Sequence, residues 1–163
     1  MATVKFKDGS EYMAKLEKLE RSTREKVIAP AIYNAADIVA NEIRDQLRKV
    51  PTDERWGTNS NPLNGPNKQQ KKGLYDSLGI ASLQDDGGFL NVKIGFDGYN
   101  KIKTKRWPQG QPNQMVARSV ERGTSFMQGN PFVKRAVSRA KNEALSEMQK
   151  TVDAEIEKIM KGQ

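Results

Sequence analysis

The C-terminal fifth of the chain carries an apolar stripe that limits what the rest can fold into. Val133, Val137, Ala140, Ala144, Met148, Val152, Ile156 and Ile159 recur at steps of three and four. That period puts them on one face of an α-helix. The spacing predicts a helix over about 131–160, roughly 45 Å long at 1.5 Å per residue. A domain of 163 residues does not need so long a helix for its own core. The stripe is therefore expected to continue onto another subunit.

A second stripe lies near the N-terminus, where Ile28, Ile32, Ala35, Val39, Ile43, Leu47 and Val50 follow the same period until Pro51 ends it. Pro30 falls inside this helix and predicts either a kink or a break near Ala29. Ser22-Thr23-Arg24-Glu25 has the spacing of a capping box and marks an expected helix start. Ahead of it, Val4 and Phe6 alternate with Lys5 and Lys7, as in a short half-buried strand. Asp8-Gly9-Ser10 reads as a turn with Ser10 as an N-cap, and Tyr12, Leu16 and Leu19 as a short helical stripe.

Between the two helices the period changes to two. Leu90, Val92, Ile94 and Phe96 alternate with Asn91, Lys93 and Gly95, the pattern of a strand covered on one face. Leu78, Ile80 and Leu83 suggest a partner strand, and Asp85-Asp86-Gly87-Gly88 is a hairpin-turn signal. The expected fold is α+β: long amphipathic helices packed on one face of a small antiparallel sheet. It forms a single domain over residues 1–163 with two long loops, 51–73 and 98–114.

The first loop is broken by Pro51, Gly57, Pro62, Gly65, Pro66 and Gly73, and the second by Gly98, Pro108, Gly110 and Pro112. Loops beyond roughly 12–15 residues are uncommon in compact domains and are usually functional or disordered. Both are expected to be mobile in the free protein and ordered in an assembly. Trp56 either anchors the first loop to the protein's own core, the favoured reading, or plugs into a partner.

The chain has no cysteine and no histidine. That removes thiolate chemistry, the commonest general base and the commonest metal ligand. Asp85-Asp86 reads as hairpin chemistry and not as a metal site. Asp153, Glu155 and Glu157 alternate with Lys150, Lys158 and Lys161, as solvated helix faces do. Gly87-Gly88 and Gly95-x-x-Gly98 lack the strand–turn–helix setting of a phosphate cradle. No enzymatic activity, metal or cofactor is expected. No window approaches the roughly 18 apolar residues of a membrane span, and the N-terminus lacks the apolar core of a signal peptide. The chain is expected to stay in the cytoplasm where it is made.

Glu121-Arg122-Gly123-Thr124-Ser125 and Asn130-Pro131-Phe132 punctuate the approach to the last helix. Gly123 can end the preceding segment with a positive φ. Thr124 and Ser125 can bond backbone groups freed by the turn. Asn130 is a good N-cap and Pro131 a good first helical residue. Phe132 is expected to fold back under the first turn. Glu121 is either a surface carboxylate or a partner for an arginine of a neighbouring subunit. The Glu-x-Gly-Thr turn followed by Pro-Phe and a long terminal helix resembles the signature of the HK97 gp10-like family of tailed-phage neck and tail-completion proteins. The likeness is strongest over Val116 to Ala140. Gly73-Leu74-Tyr75-Asp76-Ser77-Leu78 is similar to the family segment that opens the first central strand. The chain departs from the family pattern at 97–114, which relatives cross more briefly.

That resemblance implies a structural virion protein. It implies a six-fold ring of identical subunits at the head–tail interface, stacked on tail-terminator or connector rings around the DNA channel. The signature residues would be Glu121, Gly123, Thr124, Pro131 and Phe132.

Charge points to a second feature. The net charge is +8, which favours acidic partners. Lys68, Lys71 and Lys72 lie in one stretch without a carboxylate, and Lys101, Lys103, Lys105 and Arg106 in another. These seven leave the rest of the chain nearly balanced. Tyr75, Tyr99 and Trp107 flank them, as would suit stacking on single strands. The seven cations are candidates for docking to DNA or to a partner. The alternative function is a nucleic-acid-binding accessory protein that uses these loops. An enzyme with Ser/Lys or carboxylate chemistry is a third and weaker reading. No helix-turn-helix or zinc pattern supports sequence-specific DNA reading.

Overall fold

The computed structural model describes residues 2–5 and 21–162. Its elements in chain order are β1 (Ala2–Lys5), α1 (Arg21–Lys49), α2 (Lys68–Ser77), β2 (Leu78–Ile80), β3 (Gln84–Asp85), β4 (Leu90–Phe96), α3 (Asn113–Arg122) and α4 (Phe132–Met160). The fold is α+β, with helices packed against a small antiparallel sheet. The Asp8–Ser10 turn and the Tyr12, Leu16 and Leu19 stripe lie outside the described residues, as does Phe6.

β4 is the central strand. It pairs with β1 along one edge and with β2 and β3 along the other, all antiparallel. Val4 sits opposite Val92, and both Ala2 and Ile80 sit opposite Ile94. This register gathers Ala2, Val4, Leu78, Val92, Ile94 and Phe96 on the buried face, because strand side chains alternate between faces. Asn91 breaks the expected alternation. It is buried, with its Nδ2 donating to Asp86 Oδ2 at 2.9 Å and to the Phe89 carbonyl at 3.2 Å. The hairpin turn thus closes over a side chain that periodicity assigned to solvent.

α1 covers the sheet, and all seven residues of its predicted stripe are buried. Val27, Ala31, Ala36 and Ala40 are buried as well, because α4 lies along the opposite side of α1. The two helices run antiparallel. Asn34 Nδ2 donates to Thr151 Oγ1 at 3.2 Å, Arg139 Nε meets Glu42 Oε1 at 3.1 Å, and Arg135 Nε donates to Gln46 Oε1 at 3.4 Å. Ala136, Ala140 and Ala144 of α4 are buried there, and small residues on both sides permit close approach of the axes.

Several expectations are corrected here. α1 and α4 are each 29 residues long, so α1 accompanies α4 and buries Ala140, Ala144, Met148 and Val152 of its stripe within the chain. Val137 is outside that contact and partly exposed, while Ala136 and Thr151 are inside it. The sheet is covered mainly by α1. α4 reaches it through Phe132, whose ring meets Phe96 edge-on at 6.0 Å between centroids. α1 is already helical at Arg21 and continues through Pro30 without a break. The Ser22–Glu25 spacing therefore does not mark its start. Residues 68–73 are not loop. Asn67 caps α2 through a reciprocal box with Gln70, and Gly73 lies inside that helix. A Cβ there would be 2.8 Å from Asn113 Oδ1 and 2.9 Å from Asn100 Cβ. Close packing offsets the roughly 1 kcal/mol that glycine costs in a helix.

Candidate functional site

The residues from Val120 to Lys134 form a rigid elbow between α3 and α4. α3 ends at Gly123, whose N–H donates to the Ser119 carbonyl at 2.8 Å. Gly123 has φ 81 and ψ 170. The positive φ is as expected, but the ψ is extended and lies in a region essentially reserved for glycine. Thr124 and Met127 bond each other's backbone across a tight turn, and Thr124 Oγ1 accepts from the Phe126 N–H at 3.3 Å. The turn folds Gly129 onto Gly123. A Cβ on Gly123 would lie 2.7 Å from the Gly129 nitrogen.

The start of α4 differs from the expected one. Pro131, not Asn130, is the N-cap, with φ −75 and ψ 64. These are the angles of an inverse γ-turn, closed by the Phe132 N–H on the Asn130 carbonyl at 2.7 Å. Neither residue caps the helix with a side chain. Asn130 instead accepts a short hydrogen bond from Arg135 through its Oδ1. Glu121 performs the capping from the end of α3. Its Oε2 accepts from the Val133 N–H at 2.9 Å and its Oε1 from the Lys134 N–H at 3.0 Å. A carboxylate at a helix N-terminus answers both the unpaired donors and the dipole. Glu121 is thus engaged within its own chain at the start of α4. Glu121→Ala should cost about 1 kcal/mol in urea unfolding. Glu121→Gln, which keeps an acceptor, should cost less.

The loop at residues 50–67 docks on this elbow. The Leu63 N–H donates to the Phe126 carbonyl and the Gln128 N–H to the Leu63 carbonyl, both at 2.8 Å. Asp53 holds the loop from inside. Its Oδ2 accepts from Arg55 Nη2 at 2.7 Å and from the Asn64 N–H at 3.0 Å, and its own N–H donates to the Pro66 carbonyl at 3.0 Å. On this pinned loop Trp56 is 91% exposed, against the expectation that it anchors to its own core. Phe126, on the adjoining turn, is 52% exposed.

The Arg55 guanidinium, and after it the Asn64 N–H, holds the Asp53 carboxyl well below the usual carboxylate range. A depressed folded-state pKa stabilises above the ordinary carboxylate value of about 4, and that contribution is lost as pH falls through the folded value. The loop should therefore stay docked on acidification through about pH 4 and release only in stronger acid. Backbone amide exchange at Asn64 would report this. Asp53→Asn should speed that exchange at neutral pH.

The predicted docking cations divide into two sets. Lys71 works inside the fold: its Nζ donates to the Arg48 and Val50 carbonyls at 2.8 and 2.6 Å, and burial pushes its ammonium down from its ordinary value. Lys72 pairs with Asp76, while Lys68 is exposed. Lys101, Lys103, Lys105 and Arg106 are all exposed on one excursion between Asn100 and Gln111. Buried Asn100 closes the base of that excursion. Its Oδ1 accepts from the Ile102 and Gln111 N–H groups, both at 3.0 Å. Gln70 of α2 donates to Gln111 Oε1 at 2.9 Å, so α2 and this base adjoin. The loop predicted over 98–114 ends at Pro112, because Asn113 and Gln114 belong to α3. Of the flanking aromatics, Tyr99 is exposed, Tyr75 is engaged by Arg48, and Arg106 lies over the Trp107 ring.

Among the described residues there is no group of three acidic side chains placed to hold a metal, and no helix long and apolar enough to cross a membrane. No family model, curated protein or solved structure matches the chain. Asp53, Asn100 and Gly129 hold the site together but carry no periodic signal. The only hint lay in the concentration of Asn, Asp and Gly in the loops, where such side chains bond backbone.

Proposed function

We propose that this chain is a structural virion protein of a tailed phage or phage-tail-like particle. It forms a homo-oligomeric ring, six-fold by the family resemblance, at the neck, where it completes the tail and joins it to the head. Its partners are further copies of itself and neighbouring neck, tail-terminator or connector proteins, with non-specific contact to DNA in the channel. It works by surface complementarity, without a reaction or a cofactor. It is assembled in the host cytoplasm and resides in the virion. Trp56 is the observation that carries this reading. A tryptophan held almost wholly in solvent by a fixed loop, on the elbow built from the signature residues, is the kind of aromatic anchor that dominates protein interfaces. Negative-stain images of the purified protein, alone and with particles lacking it, test the proposal. Rings and restored particles support it, and a monomer that never joins a particle overturns it.

The exposed cationic excursion favours a second reading, docking to nucleic acid. Removing the charges of Lys101, Lys103, Lys105 and Arg106 together should leave folding intact. It should weaken co-sedimentation with particles most at low salt, where screening is least. If DNA is the partner, the slope of log affinity against log salt should fall by up to roughly 4. Wild-type incorporation at every salt concentration leaves the excursion a solvated spacer.

A further inference from the structure

β1, α3 and the first turns of α4 enclose an open groove of about 740 Å3. Val4, Phe96, Ala117, Val133 and Val137 line it, and Val137 stands 38% exposed there although it belongs to the apolar stripe. Three exposed cations, Arg118, Arg122 and Lys134, stand at the rim. The carboxylate among them, Glu121, is committed to the N–H groups of α4. The groove thus offers apolar walls and positive charge, and it suits an occupant that is apolar and anionic.

The tip of the β3–β4 hairpin has that chemistry. Phe89 is 71% exposed and follows Asp86 at the turn. The turn is fixed: the Asp86 N–H donates to the Phe89 carbonyl at 3.1 Å, Asp85 Oδ1 accepts from the Gly88 N–H at 2.6 Å, and Gly87 and Gly88 supply positive φ values of 68 and 93. A preorganised ring loses little conformational entropy on docking.

The groove runs along β1 from Val4, opposite Val92, to Phe96, and Val133 follows Phe132, whose ring packs on Phe96 at the end of β4 away from the hairpin. The hairpin turn precedes Leu90. From Leu90 to Phe96 is roughly 20 Å at about 3.4 Å per residue, so Phe89 does not reach the Val133 end of its own groove. We propose that the hairpin tip of one copy seats in the groove of the next, with Phe89 against Val133 and Val137 and Asp86 facing the Arg118, Arg122 and Lys134 rim. Two different surfaces at two ends make a head-to-tail contact, which closes into a ring when the rotation between copies permits. The inference deepens the ring reading above and rests on it, by naming the surface through which copies join.

The absence of cysteine allows a direct test. Phe89→Cys and Val137→Cys, both at exposed positions, are made separately, mixed and oxidised mildly. A disulfide needs Cα atoms within about 7 Å. The expected result is a linked dimer in the mixture that neither variant forms alone. Phe89→Ala should raise the dissociation constant of self-assembly at least tenfold by light scattering, with unchanged circular dichroism. Linkage within either single variant as strong as in the mixture means a symmetric contact and overturns the proposal. Assembly without mixed linkage means that copies join elsewhere, which overturns this contact and leaves the ring reading standing. A monomer at every concentration, alone and on particles, removes both.

Discussion

Val92→Asp should leave the protein unfolded or barely folded at neutral pH. Val92 is fully buried in the central strand, paired with Val4 on one side and covered by α1. A carboxylate has no partner there. It would either stay charged without water or take up a proton at a raised pKa, and a shift of three to five units costs about 4–7 kcal/mol. The lost valine burial adds roughly 1.5–3 kcal/mol. Domains hold only about 5–15 kcal/mol in total. The sign with pH follows: the introduced carboxyl has a raised folded-state pKa, so the damage should be least below about pH 4, where both states are protonated. Thermal melts followed by circular dichroism would check both. An unchanged midpoint would mean that β4 is not covered.

Gly123→Val should destabilise the elbow by more than about 3 kcal/mol, through two effects that can be separated. The backbone at φ 81 and ψ 170 is strained for any L side chain by about 1–3 kcal/mol, and more for a β-branched one. The new Cβ would also lie 2.7 Å from the Gly129 nitrogen and 3.0 Å from the Met127 carbonyl oxygen. Both are backbone atoms, so relief requires the turn to open. Gly129→Ala isolates the second effect: its φ is not positive, yet its Cβ would lie 2.8 Å from the Arg122 carbonyl oxygen. The order of urea midpoints should be wild type, Gly129→Ala, Gly123→Val. Because residues 50–67 dock on the elbow, both variants should also loosen the loop that carries Trp56. Asn64 amide exchange would report that coupling. A Gly123→Val protein of wild-type stability would refute the steric account.

The α1 stripe from Ile28 to Val50, the β4 strand from Leu90 to Phe96 and the Asp85–Gly88 hairpin were all legible in the chain. So was the need for glycine at position 123. Each is a local matter: side-chain period and backbone sterics act within a few residues, and no distant segment has to be known. By the same token, composition alone excluded thiolate and imidazole chemistry.

Other features depended on where distant segments come to rest. Ala31, Ala36 and Ala40 are buried because α4 lies antiparallel on α1, and alanine in a helix is equally at home in solvent. Gly73 reads as a breaker until Asn100 and Asn113 are seen pressed against it. Glu121 looks like any surface carboxylate, and it caps α4 only because the Gly123 turn returns the chain past the end of α3. Trp56 would ordinarily be drawn inside. Asp53 and Arg55 close the loop on itself, Leu63 ties its backbone to the elbow, and the indole is left in solvent. Periodicity is written into neighbouring residues, whereas a capping partner or an exposed aromatic is settled by contacts across tens of residues, and these exist only once the chain has folded.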